Sequence, residues 1–201
     1  MKIVFATGNK NKLTEIRQIV KDLGIEVVSM KEEGFSGDIV ENGTTFLENA
    51  LIKARTVCSA LGEITMSDDS GLVVDALGGE PGIYSSRYMG EDTSYRVKNR
   101  NIIERLEGIP ENERTARFVC AIACVFPDGR ELTAEETFEG IIGWEERGEN
   151  GFGYDPIFFL PERGISSAEL TPEEKNAVSH RGKAIRAMKR QLEELLAGEK
   201  K

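Results

Sequence analysis

Asp68 and Asp69 stand side by side in "MSDDSGLVVDALGG", Met66 to Gly79, between two apolar runs. Taking a carboxylate out of water is costly unless something pairs with it, so a doublet at the end of an apparent buried strand points to a task. Adjacent strand residues face opposite sides. One carboxylate can therefore face a cleft while the other accepts local hydrogen bonds. Beside linked phosphates, a cleft carboxylate needs a divalent cation, and Mg2+ takes oxygen ligands, often one or two carboxylates plus substrate phosphates. The alternative is an Asx-turn, with Asp69 or Ser70 capping a bend at Gly71.

Three other stretches could carry chemistry. In "ATGNKNK", Ala6 to Lys12, a glycine at a strand-to-helix turn exposes backbone N–H groups where the helix dipole favours an anion, and Lys10 and Lys12 add mobile cations. On that stretch alone an ordinary turn with solvated lysines is the plainer reading. It matches neither a Walker A loop nor a dinucleotide fingerprint. In "GFGYDP", Gly151 to Pro156, two glycines bracket Phe152, and Phe152 or Tyr154 offers a flat face on which a base can stack. The competing reading is an aromatic turn plugging a sheet end. In "EEKNAVSHRG", Lys175, His180 and Arg181 bring two fixed cations to the sole imidazole of the chain; a lone histidine is more often a surface or hydrogen-bonded structural residue, but beside Arg181 a contact to a phosphate or a base edge gains weight.

The elements that must position these residues follow from periodicity. "KIVFAT", Lys2 to Thr7, is a buried strand. Leu13, Ile16, Ile19, Val20 and Leu23 have helical spacing closed by Gly24, and "IEVVSM" is a second strand. Thr45 and Glu48 form a capping box for a helix reaching about Leu61 before Gly62. "ITMS" and "LVVDAL" read as strand fragments on either side of the acidic pair. "GGEPGIYSSRY" is turn-rich, and the helix after it points Val97, Ile102, Ile103 and Leu106 inward. "ARFVCAIACVF" is the longest apolar run and a central strand, turned by "PDG" into "RELTAEETFEGII". "GFGYDPIFFLPERG" is loop plus strand. Thr171, Pro172 and Glu174 open another helix, and a final amphipathic helix carries Ile185, Met188, Leu192, Leu195 and Leu196 before a charged tail. No repeat or linker interrupts this order. The expectation is one α/β domain over 1–201: a mixed sheet flanked by helices, in two lobes with a central cleft.

Of the 201 residues, 26 are Lys or Arg and 35 are Asp or Glu, giving a net charge of −9. That argues against coating a nucleic-acid polymer or a membrane surface, while leaving room for a small anion in a locally basic site. Cys58, Cys120 and Cys124 make an odd count that fits a reducing compartment, and Cys120 and Cys124 read as small core residues rather than metal ligands. The apolar start is too short for a signal peptide, and no run nears the roughly 20 residues that span a bilayer. A cytoplasmic protein is expected.

It is the order of these motifs that is specific. Thr7-Gly8-Asn9-x-x-Lys12, Asp68-Asp69-Ser70-Gly71-Leu72, Gly78-Gly79-x-Pro81-Gly82, Gly151-Phe152-Gly153-Tyr154-Asp155-Pro156, Glu174-Lys175 and Ser179-His180-Arg181 follow one another in a series that resembles the inosine triphosphate pyrophosphatase family of the Ham1 type, over about residues 2 to 190. The resemblance implies a Maf/Ham1-like fold, a homodimer, and Mg2+-dependent hydrolysis of dITP, ITP and XTP to monophosphate and pyrophosphate, which cleanses the nucleotide pool. It implies that Thr7, Gly8, Asn9, Lys10, Asn11 and Lys12 cradle phosphates, with Lys53 reaching them too. Asp69 corresponds to the catalytic acid–base and metal carboxylate, and Ser70 to a substrate contact. Phe152, Gly153, Tyr154 and Asp155 resemble the base-binding loop, and Lys175, His180 and Arg181 match further nucleotide contacts. Where relatives often carry two acids before the following turn, this chain has Val40-Glu41, leaving Glu41 as candidate second metal ligand. The rivals are a Maf-like pyrophosphatase of other base preference, a nucleotide sensor without turnover, and a scaffold.

Overall fold

The first strand, β1 (Lys2–Phe5), follows from a short apolar run whose Ile3, Val4 and Phe5 are all buried. It pairs in parallel with β2 (Glu26–Ser29), Ile3 opposite Val27, and with β3 (Thr65–Val74), Phe5 opposite Met66. The computed structural model describes residues 1–21 and 24–198, with the backbone alone at Leu196. The expected inward positions of Leu23 and the Leu196 side chain, and the charged tail at 199–201, lie outside the described residues. Among those described there are seven strands, in one mixed sheet of order β2-β1-β3-β4-β5-β6-β7, and five α-helices. The remaining strands are β4 (Thr115–Val125), β5 (Glu131–Ile142), β6 (Phe158–Leu160) and β7 (Ile165–Ser166). The helices are α1 (Lys10–Ile19), α2 (Phe46–Leu61), α3 (Tyr95–Arg105), α4 (Pro172–Val178) and α5 (His180–Gly198).

Local chemistry sets most boundaries. α1 starts before its first apolar residue because the Asn9 side chain accepts the N–H groups of Asn11 and Lys12. α2 is capped by Thr45 and closed by Gly62 in the left-handed region. Its box differs from expectation: Thr45 accepts the Glu48 N–H, but the Glu48 carboxylate returns to the N–H and hydroxyl of Thr44. At α4 the full box forms between Thr171 and Glu174, with Pro172 in the first turn. β4 is fourth of the seven strands, and a tight turn, with the Phe126 N–H on the Arg130 carbonyl, leads into β5.

Three expectations are corrected. β3 is one unbroken strand through Asp68, Asp69, Ser70 and Gly71, not two fragments around a bend, so no Asx-turn forms there. Beyond the doublet, the Leu72 N–H donates to Ser85 Oγ at 2.9 Å. On α3, Val97 is 49% exposed, and the inward positions are Lys98, Asn99 and Ile102, with Leu106 just beyond. Lys98 tolerates burial because its ammonium donates to the Ser86 carbonyl at 2.7 Å while its stem packs. β7 was not anticipated, being too short to show a period.

The chain divides into two compact units, neither contiguous in sequence. The first holds Met1–Asp69, Cys120–Glu136 and the chain from Arg181, and its main core gathers Phe5, Ile16, Met66, Cys120, Ile122, Cys124, Ile185, Met188 and Leu192. Cys120 and Cys124 are thus core residues, their thiols pushed up to about 12 by burial. The second holds Ser70–Val119 and Thr137–His180, around Leu72, Ile102, Leu106, Phe118, Phe138, Tyr154, Ile157 and Phe158. No described helix is long and apolar enough to cross a membrane.

β6 lies against β5 so closely that a Cβ at Gly140 would come within 2.5 Å of the Phe159 carbonyl and 2.6 Å of the Phe158 ring. Gly140→Ala is expected to lower unfolding free energy by about 1–3 kcal/mol, as overpacking does. Urea titration measures it, and a loss below roughly 0.5 kcal/mol would show that β6 yields freely.

Candidate active site

In the first unit the acidic doublet divides its labour. Asp68 is 1% exposed, and its Oδ2 accepts Lys12 Nζ at 2.9 Å and Arg181 Nε at 3.3 Å. Burial alone would push its carboxyl up, but Lys12, Arg181 and Lys53 outweigh that and hold it well below the usual range. Arg181, also buried, donates through Nη1 to Glu15 of α1, and its own ionisation is pushed further up because Asp68 and Glu15 outweigh burial. Lys12 is therefore no mobile cation, and Arg181, expected as a nucleotide contact, commits two of its nitrogens to carboxylates.

Asp69 faces the other way. Its Oδ1 accepts Lys53 Nζ at 3.3 Å, and the same ammonium donates to Glu41 Oε2 at 2.7 Å. Burial pushes the Asp69 carboxyl up, Lys53 and Lys12 opposing and Glu41 and Asp68 adding to it. Burial would lower Lys53, yet Asp69, Glu41 and Asp68 together raise it, so it stays charged. Asp69 Oδ2 is buried with no hydrogen-bond partner. Such an oxygen costs free energy unless something cationic or protic meets it. Two carboxylates sharing one ammonium, one with a spare oxygen, fit a hard divalent cation whose other ligands come from phosphate and water. Among the described residues no three His, Cys, Asp or Glu gather for a metal, so protein ligands alone do not complete a shell.

The turn before α1 is arranged by its own side chains. Thr7 Oγ1 accepts the Asn9 N–H at 3.1 Å, while Asn9 Oδ1 serves Asn11 and Lys12, leaving Lys10 and Asn11 exposed. Gly8 is not demanded by packing, since a Cβ there would meet nothing within 4 Å.

The second unit holds the other predicted residues. Asp155 is buried. Its Oδ2 accepts Lys175 Nζ at 2.6 Å and the Phe152 N–H at 2.8 Å, and its Oδ1 accepts the Ser167 hydroxyl at 2.9 Å. A Cβ at Gly151, which has positive φ, would strike Asp155 Oδ2, so only glycine lets the loop close on this carboxylate. Lys175 Nζ lies over the Phe152 ring, 4.9 Å from its centre, and Phe152 reaches solvent in part. Tyr154 does not: it is 3% exposed, edge-on to Tyr95, and donates its hydroxyl to the Ser85 carbonyl at 2.7 Å. Gly153 takes positive φ between them. His180 stacks on Phe118 at 4.9 Å, and Ser70 continues β3 directly after Asp69.

Sequence reasoning missed Glu15, an ordinary helix acid by its neighbours, and Asn49, which shares a face of α2 with Lys53 and could have been found by that spacing.

A mixed α/β sheet with ionised carboxylates and lysines gathered where β3 meets α1 and α2 marks an enzyme of the nucleotide-handling α/β class. More narrowly, the chain belongs to the Ham1 family, whose sequence model matches residues 3–191. It is 46% identical to a dITP/XTP pyrophosphatase of Geobacillus kaustophilus over 98% of this chain and 96% of that one. It is 48% identical to another of the same name from Desulforamulus reducens, over 92% of each. Among solved structures, a HAM1 protein from Coxiella burnetii superposes with TM-score 0.89 at 41% identity, covering 96% of this chain and 99% of that one. The Ham1 protein of Staphylococcus aureus gives 0.87 at 39%, over 96% and 98%. The expected family and α/β fold are both borne out.

The Asp68 pairing has a consequence for acid stability. Its folded carboxyl lies below its ordinary 3.8, so the unfolded chain takes up the proton first as pH falls. The stability it supplies is complete above about pH 3.8 and drains away below it. Asp68→Asn should cost about 3–5 kcal/mol at neutral pH by leaving cations uncompensated, and should flatten that acid limb. Urea midpoints between pH 2 and 6 for both proteins check it; parallel curves would sink it.

Proposed function

We propose that the protein hydrolyses deaminated purine nucleoside triphosphates, dITP, ITP and XTP, to the monophosphate and pyrophosphate with Mg2+. The observation that carries this reading is Asp69: a buried carboxylate with its ionisation pushed up, one oxygen on Lys53 and the other without a partner. The names of its relatives and the motif order support the same substrate class. The reading treats residues 1–201 as one catalytic domain, because neither compact unit is contiguous in the chain. It also takes the enzyme as a cytoplasmic homodimer acting on free nucleotides, in keeping with the net charge of −9.

The roles follow from the geometry. Asp69 and Glu41 would hold Mg2+, which supplies charge neutralisation and polarises the phosphorus under attack. Lys53, shared by the two carboxylates, keeps them together and meets phosphate charge. In the turn from Thr7 to Lys12, whose Asn9, Asn11 and Lys12 amides are taken by its own side chains, the Gly8 and Lys10 amides, with open space over Gly8 and the exposed Lys10 side chain, would receive phosphate oxygens. Asp69 orients a water and takes its proton for in-line attack at the α-phosphorus, pyrophosphate leaving. Asp68 stays ionised and touches no reacting atom. It fixes Lys12 and Arg181.

For the base, Phe152 supplies the stacking face, and Asp155 and Lys175 hold its loop. Hypoxanthine and xanthine present a 6-oxo acceptor where adenine has an amino donor. Within the second unit, the backbone N–H groups of Gly153 and Tyr154 in the base loop would favour the oxo form and leave adenine facing donor to donor.

Asp69→Asn should cut pyrophosphate release from ITP by roughly 10²–10⁴-fold while the fold and nucleotide binding persist. Phe152→Ala should raise the KM for ITP about tenfold with kcat little changed, if stacking holds the base. Pyrophosphate release from ITP, XTP, ATP, GTP and dTTP, with and without Mg2+, tests the whole reading. Preference for dTTP would favour a Maf-like enzyme, and no release at all a sensor.

A further inference from the structure

We propose that Asn49 is a positioning residue for Glu41, holding the segment that carries this carboxylate onto the face of α2 where Lys53 receives it. The proposal deepens the catalytic reading above and rests on it for its kinetic consequence.

Asn49 and Lys53 lie one turn apart on α2, so their side chains share a face. Asn49 is 1% exposed, and its Oδ1 accepts the Gly43 N–H at 2.9 Å. Two residues before Gly43, the Glu41 carboxylate accepts Lys53 Nζ at 2.7 Å. The segment 41–43 is thus held at two points of one helical face, its backbone by an amide and its side chain by an ammonium. Gly43 has been brought in as far as a backbone can come. A Cβ there would stand 2.8 Å from Asn49 Oδ1, 2.8 Å from Glu48 Cβ and 3.0 Å from the Asn49 nitrogen.

Little else fixes this stretch. It belongs to no helix or strand, Val40 is 72% exposed, and the nearest upstream apolar anchor is Ile39. Asn49 also carries a penalty that packing alone would not impose: its Nδ2 is buried with no hydrogen-bond partner. A leucine would fill similar space without that orphan donor. What the amide provides and leucine cannot is the acceptor for Gly43. A carboxylate displaced by about an ångström from a reacting centre can cost on the order of a hundredfold in rate, so holding its backbone is a catalytic service rendered at a distance.

The test compares Asn49→Leu, which loses the acceptor, with Asn49→Asp, which keeps it. By NMR, the Gly43 amide should exchange at least about tenfold faster in the leucine variant and stay protected in the aspartate variant. The Glu41 side-chain carboxyl carbon should shift in the first and not the second. With ITP and Mg2+, Asn49→Leu should lower kcat about 10–100-fold with KM within about twofold, and Asn49→Asp should restore most of it. Added to Glu41→Gln, Asn49→Leu should lower kcat by less than about twofold more, because both act through one carboxylate. Unchanged exchange at Gly43, full kcat in the leucine variant, or losses that add in full to those of Glu41→Gln would each overturn the proposal. If the unmodified protein releases no pyrophosphate, the catalytic reading fails, while the Gly43 exchange and the Glu41 shift still decide whether Asn49 holds Glu41 in place.

Discussion

A carboxylate taken wholly out of water stays ionised only when cations are buried with it, and the attraction must repay the desolvation of every partner. Asp68 meets that condition through Lys12 of α1 and Arg181 of α5, and Arg181 in turn through Glu15. With its charge matched, β3 runs straight through the acidic doublet instead of breaking there. Two segments distant in sequence are drawn to one oxygen atom of β3, and the turn at Thr7 to Lys12 is fixed as a by-product, because the lysine that ends it is the lysine Asp68 holds.

The pleat then separates the two acids. Adjacent on one strand, they look to opposite sides and meet opposite environments. Asp68 is driven toward permanent charge, whereas Asp69 keeps a raised ionisation, and each retains one buried oxygen without a hydrogen-bond partner. Pairs of titratable groups whose surroundings push them apart are a recurring way to obtain one structural ion and one working base from the same side-chain type. Lys53 links Asp69 to Glu41 and so ties β3 to the stretch before α2.

Much of this could be read from residue order, where the governing interaction is local. The Thr171-Pro172-Glu174 cap, the stop at Gly62, the central apolar strand and the packing of Cys120 and Cys124 all depend on neighbours within a few positions or on plain periodicity. The failures share a cause. Whether β3 continues through Asp68 depends on a guanidinium 113 residues away, which no local window contains. Val97 was turned inward by counting apolar residues, whereas the helix buries the lysine stem and asparagine next to it because a carbonyl of Ser86 is there to meet the ammonium. At the site, types were legible and states were not. Lys12, Arg181 and Tyr154 were visible as polar or aromatic candidates, but their commitments to Asp68, Glu15 and the Ser85 carbonyl appear only once the chain is folded.

The distance between Asp68 and Arg181 along the chain also bears on synthesis. A ribosome delivers about 5–20 residues each second, so a nascent chain presents β1, α1, α2 and β3 well before the segment past residue 180 emerges. During that interval Lys12, with Lys53 farther off, faces Asp68 without Arg181, and the strand that holds the doublet is electrostatically incomplete. Chains that stall short of α5 therefore lack the guanidinium that completes the pairing of this buried carboxylate.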